Sequence, residues 1–99
     1  MAAGEASPEA LLKALRHPLR RWLLRIYLEE GESLSPKELA LVMRKPLSNV
    51  SYHARTLKEL GALEIVYEKA ARGSVEHFYE ATALVKETPW VLASLGLGG

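Results

Sequence analysis

Apolar positions in the first third of the chain recur at the three- and four-residue spacing of helices. A first helix is predicted to begin at Ser7-Pro8, a capping residue followed by a first-turn proline. It should end near His17, because Pro18 disfavours helical geometry in the residue before it. A second helix should start at Pro18, with an apolar stripe made of Leu19, Trp22, Leu23, Ile26 and Tyr27.

The middle of the chain predicts two more helices with a tight turn between them. Ser35-Pro36 repeats the cap-plus-proline start, so a short third helix should cover about residues 36–43. After the turn RKP, a fourth helix should run from about 47 to 60 and stop at Gly61. On a helical wheel, its core-facing sector contains Val50, Ala54, Leu57 and Gly61, with Leu47 and His53 at the edges.

The last third of the chain changes to strand-like composition. The runs LEIVYEK and SVEHFYEA are rich in β-branched and aromatic residues, and the short loop AARG between them predicts a hairpin. A short last helix should follow from a capping Thr88 to Gly96, after a turn through Leu84 and Val85. The order of elements predicts an α+β fold of the winged helix-turn-helix type over residues 8–99, preceded by a flexible arm, residues 1–7.

Composition narrows the classes of protein that this chain can represent. Its 99 residues fit one domain, and the absence of cysteine excludes disulfides and thiolate metal sites. Its opening, MAAGEASPEALL, lacks the basic-then-apolar pattern of a signal peptide, and no apolar run approaches the ~20 residues that span a bilayer. We therefore expect a cytoplasmic protein with no membrane partner.

Charge is distributed unevenly along the chain. Residues 13–58 hold ten Lys and Arg against four Glu, a net +6, whereas the remainder holds three against eight, a net −5. Such an asymmetry indicates one basic face, although a solvated helix can also collect charges without a partner.

The outward side of the fourth helix carries short hydrogen-bonding side chains in place of good helix formers. Ser48, Ser51, Tyr52, Arg55 and Glu59 lie opposite the core sector, and Asn49 flanks them. The major groove of DNA admits a helix and displays donors and acceptors, and the second helix of a helix-turn-helix reads them with its N-terminal residues. The alternative is an amphipathic core helix with an ordinary solvated face.

Cations near this helix are candidates for contacts to the DNA backbone. Lys37, Arg44 and Lys45 lie in or beside the turn, and Lys69 and Arg72 lie near the hairpin tip. Glu68 and Glu76 on the strands oppose phosphate binding unless they point away. A hairpin that merely covers the core is the alternative, but it explains the Arg-Gly tip less well.

The last helix has almost no polar face, which predicts an association surface. We expect a twofold homodimer formed by the terminal helices, with contributions from Leu11, Leu12, Leu15, Trp90 and Leu95. The alternative is that this helix packs back onto Trp22 of its own chain.

No catalytic or metal-binding pattern emerges from the remaining residues. His17, His53 and His77 lie on different elements without the spacing of metal ligands. The chain has neither a Gly-rich phosphate loop nor a nucleophile with a matching base, so we expect no enzyme, no metal and no cofactor.

Four segments together, RHPLRRWLLRIY, LSPKELALVM, PLSNVSYHARTLKELGALEIV and ARGSVEHFYEA, resemble the ArsR-type winged-helix regulators over about residues 10–82. They are most similar to a cysteine-free bacterial branch with the pairing of NVSYH and VEHFY. The resemblance implies a homodimer that binds an inverted DNA repeat, commonly as a repressor released by an inducer. It also implies that Ser48, Asn49, Ser51, Tyr52 and Arg55 occupy the positions of recognition-helix contacts.

The sequence departs from that family's pattern at three places, and these departures change what the resemblance implies about metal sensing and about the turn. The third helix reads ELALVM where metal-sensing members carry a cysteine pair, and the last helix reads TPWVLASL where others carry Asp and His. Metal sensing is therefore not expected. Arg44 stands where the family usually has glycine and Lys45 where it has an apolar residue, which makes the turn more basic.

A winged-helix module that binds protein and not DNA remains the alternative function, favoured by the acidic residues Glu64, Glu68, Glu76 and Glu80 of the strands.

Overall fold

Proline-initiated helices form the first half of the structure, a computed structural model that describes residues 7–97. The elements are α1 (Pro8–Ala14), α2 (Pro18–Glu30), α3 (Pro36–Met43), α4 (Leu47–Glu59), β1 (Leu63–Ala71), β2 (Ser74–Ala81), α5 (Ala83–Lys86) and α6 (Pro89–Ser94). The described residues thus form the predicted α+β fold, with six helices and one two-stranded antiparallel sheet; α5 lies where a turn through Leu84 and Val85 was expected. Residues 1–6 of the predicted N-terminal arm lie outside the described part.

Local side-chain caps explain where the first three helices begin. The Oγ of Ser7 accepts a hydrogen bond from the Ala10 N–H (3.2 Å), and the Nδ1 of His17 accepts one from the Leu19 N–H (3.0 Å). At α3, Ser35 and Glu38 form a reciprocal capping box. Each cap precedes a proline, whose fixed φ suits the first helical position and whose missing N–H removes an unpaired donor.

The C-terminus of α1 is shaped by side chains from α2. Arg20 donates from Nε to the carbonyl of Ala14 (3.2 Å) and from Nη2 to the carbonyl of Lys13 (2.8 Å). Arg21 donates from Nη1 to the carbonyl of Leu15 (2.6 Å). These tertiary bonds satisfy carbonyls at the end of α1, which stops at Ala14, earlier than the predicted boundary near residue 17.

The hairpin is longer than its sequence pattern suggested. Its register runs from Leu63↔Ala81 to Ala71↔Ser74, so only Arg72 and Gly73 form the turn. Gly73 adopts a φ of 74°, a left-handed conformation that glycine accepts without steric cost because it has no Cβ. A bridge between Leu34 and Tyr79, with both N–H···O distances at 3.0 Å, ties the α2–α3 loop to β2.

One hydrophobic core receives side chains from all the described elements. Its fully buried members include Leu23, Leu24, Leu39, Val50, Leu57, Leu63, Val85 and Val91. In α2 the predicted stripe is partly wrong: Leu24 is buried and Trp22 is 42% exposed. The helix is thus rotated about its axis from the predicted orientation. In the observed orientation, Arg20 and Arg21 reach the C-terminal end of α1. None of the helices in residues 7–97 has the length and apolar character that crossing a membrane requires.

α6 starts at Pro89, as predicted, but its capping residue behaves differently from the expectation. Thr88 occupies the N-cap position, but its side chain makes no capping bond to α6. Its hydroxyl donates to the carbonyl of Leu84, so this side chain ties α6 to α5. Helix α6 ends at Ser94, and Gly96 follows with a φ of 77°.

Candidate nucleic-acid interface

The outward face of α4 is exposed along most of its length. Ser48, Asn49, Tyr52 and Arg55 are exposed, with Tyr52 at 57%, and Ser51 is half-buried. The opposite face is buried through Val50, His53, Ala54 and Leu57. The predicted polar face of α4 therefore meets solvent and is not covered by the described part of the chain.

The N-terminus of α4 differs from those of the first three helices. Pro46 is its N-cap residue, and no side chain caps it. The first-turn N–H groups of Leu47 and Ser48 therefore carry a partial positive charge beside the exposed polar face.

The turn between α3 and α4 contains a residue in the left-handed region. Arg44 has φ 55° and ψ 46°, and within residues 7–97 it is the only non-glycine residue with a positive φ. Its N–H and that of Lys45 both donate to the carbonyl of Ala40, which closes α3. Both side chains are exposed, so two positive charges project from this turn.

A groove of about 550 Å³ separates α4 from β2. Three predicted residues, Lys37, Ser51 and Arg55, line it. Burial raises the pKa of Tyr79, another residue of the wall, while the nearby Arg55 guanidinium opposes that rise. The groove thus places positive charge from α3 and α4 along one concave surface, which Glu76 of β2 also lines.

Sequence reasoning missed several residues that line this groove. Leu47, which the helical wheel placed at the edge of the core, is 49% exposed here, and Lys58 adds a third cation. His77 also lines the wall from β2. The periodicity of α4 contained the signal for Lys58, because Lys58 lies on the same side of the helix as Ser51. The position of His77 depends on how β2 packs against α4.

The hairpin tip presents Lys69 and Arg72 to solvent, as predicted. They do not belong to the groove lining, and Lys69 pairs in register with Glu76. Glu68, the other strand acid that could oppose phosphate binding, lies 3.6 Å from the Nε2 of His77, and the side chains of His77 and Glu68 are 42% and 55% exposed. The tip is therefore cationic, whereas the strands behind it carry mixed charge.

Glu76 is held by a structural contact at the start of α3. The hydroxyl of Ser35, which is fully buried, donates to Glu76 at 2.5 Å and accepts from the Glu38 N–H at 3.2 Å. The Ser35 N–H donates to the Glu38 carboxylate at 2.9 Å. Both carboxylates lie at the positive end of the α3 dipole, so this charge has a role in joining the hairpin to α3.

Behind α4, the chain brings together two histidines that are far apart in sequence. The rings of His17 and His53 have centroids 4.2 Å apart, and the Arg20 Nη1 lies 3.4 Å from the His53 Nδ1. Burial lowers the pKa of His53, and the neighbouring His17 and Arg20 lower it further. The Tyr52 ring packs edge-on against His53 at 5.1 Å, so this cluster supports the exposed face of α4. Across residues 7–97, no group of three or more His, Cys, Asp or Glu residues is arranged to hold a metal ion.

The residues predicted for a dimer interface separate into two groups. Leu11 (4% exposed) and Leu95 (3%) fill the core of their own chain, whereas Leu12 (53%) and Trp90 (41%) are exposed and Leu15 is half-buried. Leu95 and Ser94 share a shallow depression with Trp22, so α6 partly packs back onto α2. The prediction of an interface role was therefore wrong for Leu11 and Leu95, and the exposed apolar residues of the terminal helices are Leu12 and Trp90, with Trp22 exposed on α2.

Comparison with known proteins adds no family to these observations. No protein-family model matches the chain, and no curated protein matches it.

Proposed function

We propose that this protein is a sequence-specific regulator of transcription that binds double-stranded DNA through a winged helix-turn-helix of the ArsR type. Helices α3 and α4 are the helix-turn-helix, α4 is the recognition helix, and the β1–β2 hairpin is the wing. The observation that supports the proposal most directly is the exposed face of α4. It presents Ser48, Asn49, Tyr52 and Arg55 to solvent, and its only acid is Glu59 in the last turn.

Positive charge surrounds that face on both sides. The exposed turn supplies Arg44 and Lys45, and the groove toward β2 supplies Lys37, Arg55 and Lys58. Side chains of these types bind phosphates, which set the position and orientation of a protein on the duplex, while hydroxyl, amide and guanidinium groups read base edges. The uncapped N-terminus of α4 adds N–H donors for a phosphate.

The proposed active form is a homodimer that binds an inverted repeat as a repressor. Exposed apolar side chains on the terminal helices and α2, Leu12, Trp22 and Trp90, supply the contact surface. A twofold dimer places two recognition helices about 34 Å apart, the distance between successive major grooves on one side of the duplex.

Selection of bound DNA from a random pool, followed by binding measurements across a salt series, tests the proposal. We expect a conserved inverted repeat and a log–log salt slope near −0.9 for each phosphate neutralised. Arg55→Ala should lower discrimination between the selected site and its variants by about 1–3 kcal/mol. Arg25→Ala removes another exposed cation, from α2, and is the matched control. Absent or salt-insensitive binding would refute the proposal.

A second candidate function, docking to another protein, has one observation in its favour. Leu41 and Val42 of α3 are 75% and 73% exposed, and DNA offers few apolar surfaces to cover them. If a protein is the partner, Leu41→Glu should abolish its binding. The same substitution lies away from the polar face of α4, so a DNA-binding regulator should keep its site preference.

A further inference from the structure

Leu47 is an apolar side chain at the first position of α4, where a polar one would be expected. It is 49% exposed, although the helical pattern had placed it at the edge of the core. It lines the groove between α4 and β2 together with Ser51, one turn further along the helix. An exposed leucine at this point has no role in the described core.

Base edges in the major groove are polar with one exception, the C5-methyl group of thymine. The second helix of a helix-turn-helix contacts base edges with its N-terminal residues. We propose that Leu47 is a specificity-determining residue that selects thymine by packing against this methyl group. The inference rests on the proposed function, since it assumes that α4 enters the major groove.

Uracil provides a precise probe because it differs from thymine only by lacking the methyl group. Each thymine of the selected DNA site is replaced in turn by uracil, and binding is measured by fluorescence anisotropy. For the wild-type protein, we expect affinity to fall about fourfold at one thymine of each half-site, the effect of exposing one methyl group. At that position, replacing the base pair by one with 5-methylcytosine should preserve more affinity than cytosine does.

Two variants and a control tie the effect to this side chain. Leu47→Ala should bind the thymine and uracil sites with equal affinity. Leu47→Gln keeps the bulk of the side chain but makes it polar, and should also lose the preference. Val66→Ala removes an apolar side chain of similar exposure (42%) from β1, outside the groove lining, and should keep the thymine preference. Thermal melts show that each variant is folded before its binding is compared.

The outcomes separate this inference from the function on which it rests. Wild-type protein that binds a selected site but is indifferent to uracil at every position would overturn the role of Leu47 and leave DNA binding intact. A thymine preference that survives in both Leu47 variants would also overturn it. Failure of the wild-type protein to retain any DNA would overturn both proposals.

Discussion

Replacing Arg44 by glycine should make the protein more stable and, at the same time, lower its affinity for DNA. Arg44 has a φ of 55°, where a Cβ atom crowds the backbone at a cost of roughly 1–2 kcal/mol. Glycine removes that cost but adds about 0.5–1 kcal/mol of backbone entropy to the unfolded chain. The expected net gain in the free energy of unfolding is about 0.5–1 kcal/mol, which corresponds to a rise in melting temperature of about 3–6 °C.

The effect on DNA binding follows from the exposed guanidinium. If Arg44 neutralises one phosphate, its loss should reduce the magnitude of the log–log salt slope by about 0.9. Arg44→Ala is the matched control, because it removes the same charge but keeps the Cβ atom in the left-handed conformation. It should therefore lower the salt slope equally while leaving the melting temperature close to that of the wild type.

Urea and thermal unfolding of the wild type and the two variants measure the first effect, and anisotropy titrations across a salt series measure the second. Equal stability of the glycine and alanine variants would refute the argument that Arg44 stores backbone strain. An unchanged salt slope in both variants, with the glycine variant stabilised, would leave the strain argument intact and remove Arg44 from the proposed phosphate contacts.

Three further predictions concern pH, the α3 cap and association. Because the pKa of His53 is lowered in the folded state, the protein takes up protons when it unfolds, and its stability should fall as the pH drops below about 6.5. His53→Asn should reduce the pH dependence of the urea unfolding midpoint between pH 8 and 5.5. An unchanged pH dependence in this variant would exclude His53 as its source. Ser35→Ala should lower the free energy of unfolding by about 1–3 kcal/mol, since it removes the α3 cap and the hydroxyl that binds Glu76. A loss below about 0.5 kcal/mol, measured by chemical denaturation, would contradict the role assigned to Ser35. Leu12→Glu should shift the sedimentation coefficient toward that of a monomer with little change in melting temperature. Leu41→Glu, which also replaces an exposed apolar side chain, should leave the sedimentation coefficient unchanged. Wild-type protein that sediments as a monomer would contradict the dimer.

In the hairpin and the terminal helices, some features could not be predicted from the sequence. The strands were recognised from their β-branched and aromatic residues, but their extension to Ala71 and the bulge between Ile65 and Tyr67 depend on cross-strand pairing. Leu11 and Leu95 were assigned to an interface because the last helix has almost no polar face and a chain of this size has little interior in which to bury it. Which side of each helix turns inward is decided by the neighbours that it meets, and both residues turn inward.

Sequence by itself determined the order of the elements, the type of all of them except α5, the starts of the other five helices, and the polar face of α4. These features depend on interactions within a few residues: a serine or histidine that caps a helix, a proline that suits its first turn, and the alternation of apolar and polar positions. Tertiary structure alone decided the contacts between residues distant along the chain. It brought His17 against His53, bound Ser35 to Glu76, and left Leu47 exposed beside the groove. The physical reason is that a helical period specifies a face only to within about one residue, whereas packing of the neighbouring elements fixes which side chains at its edges are covered.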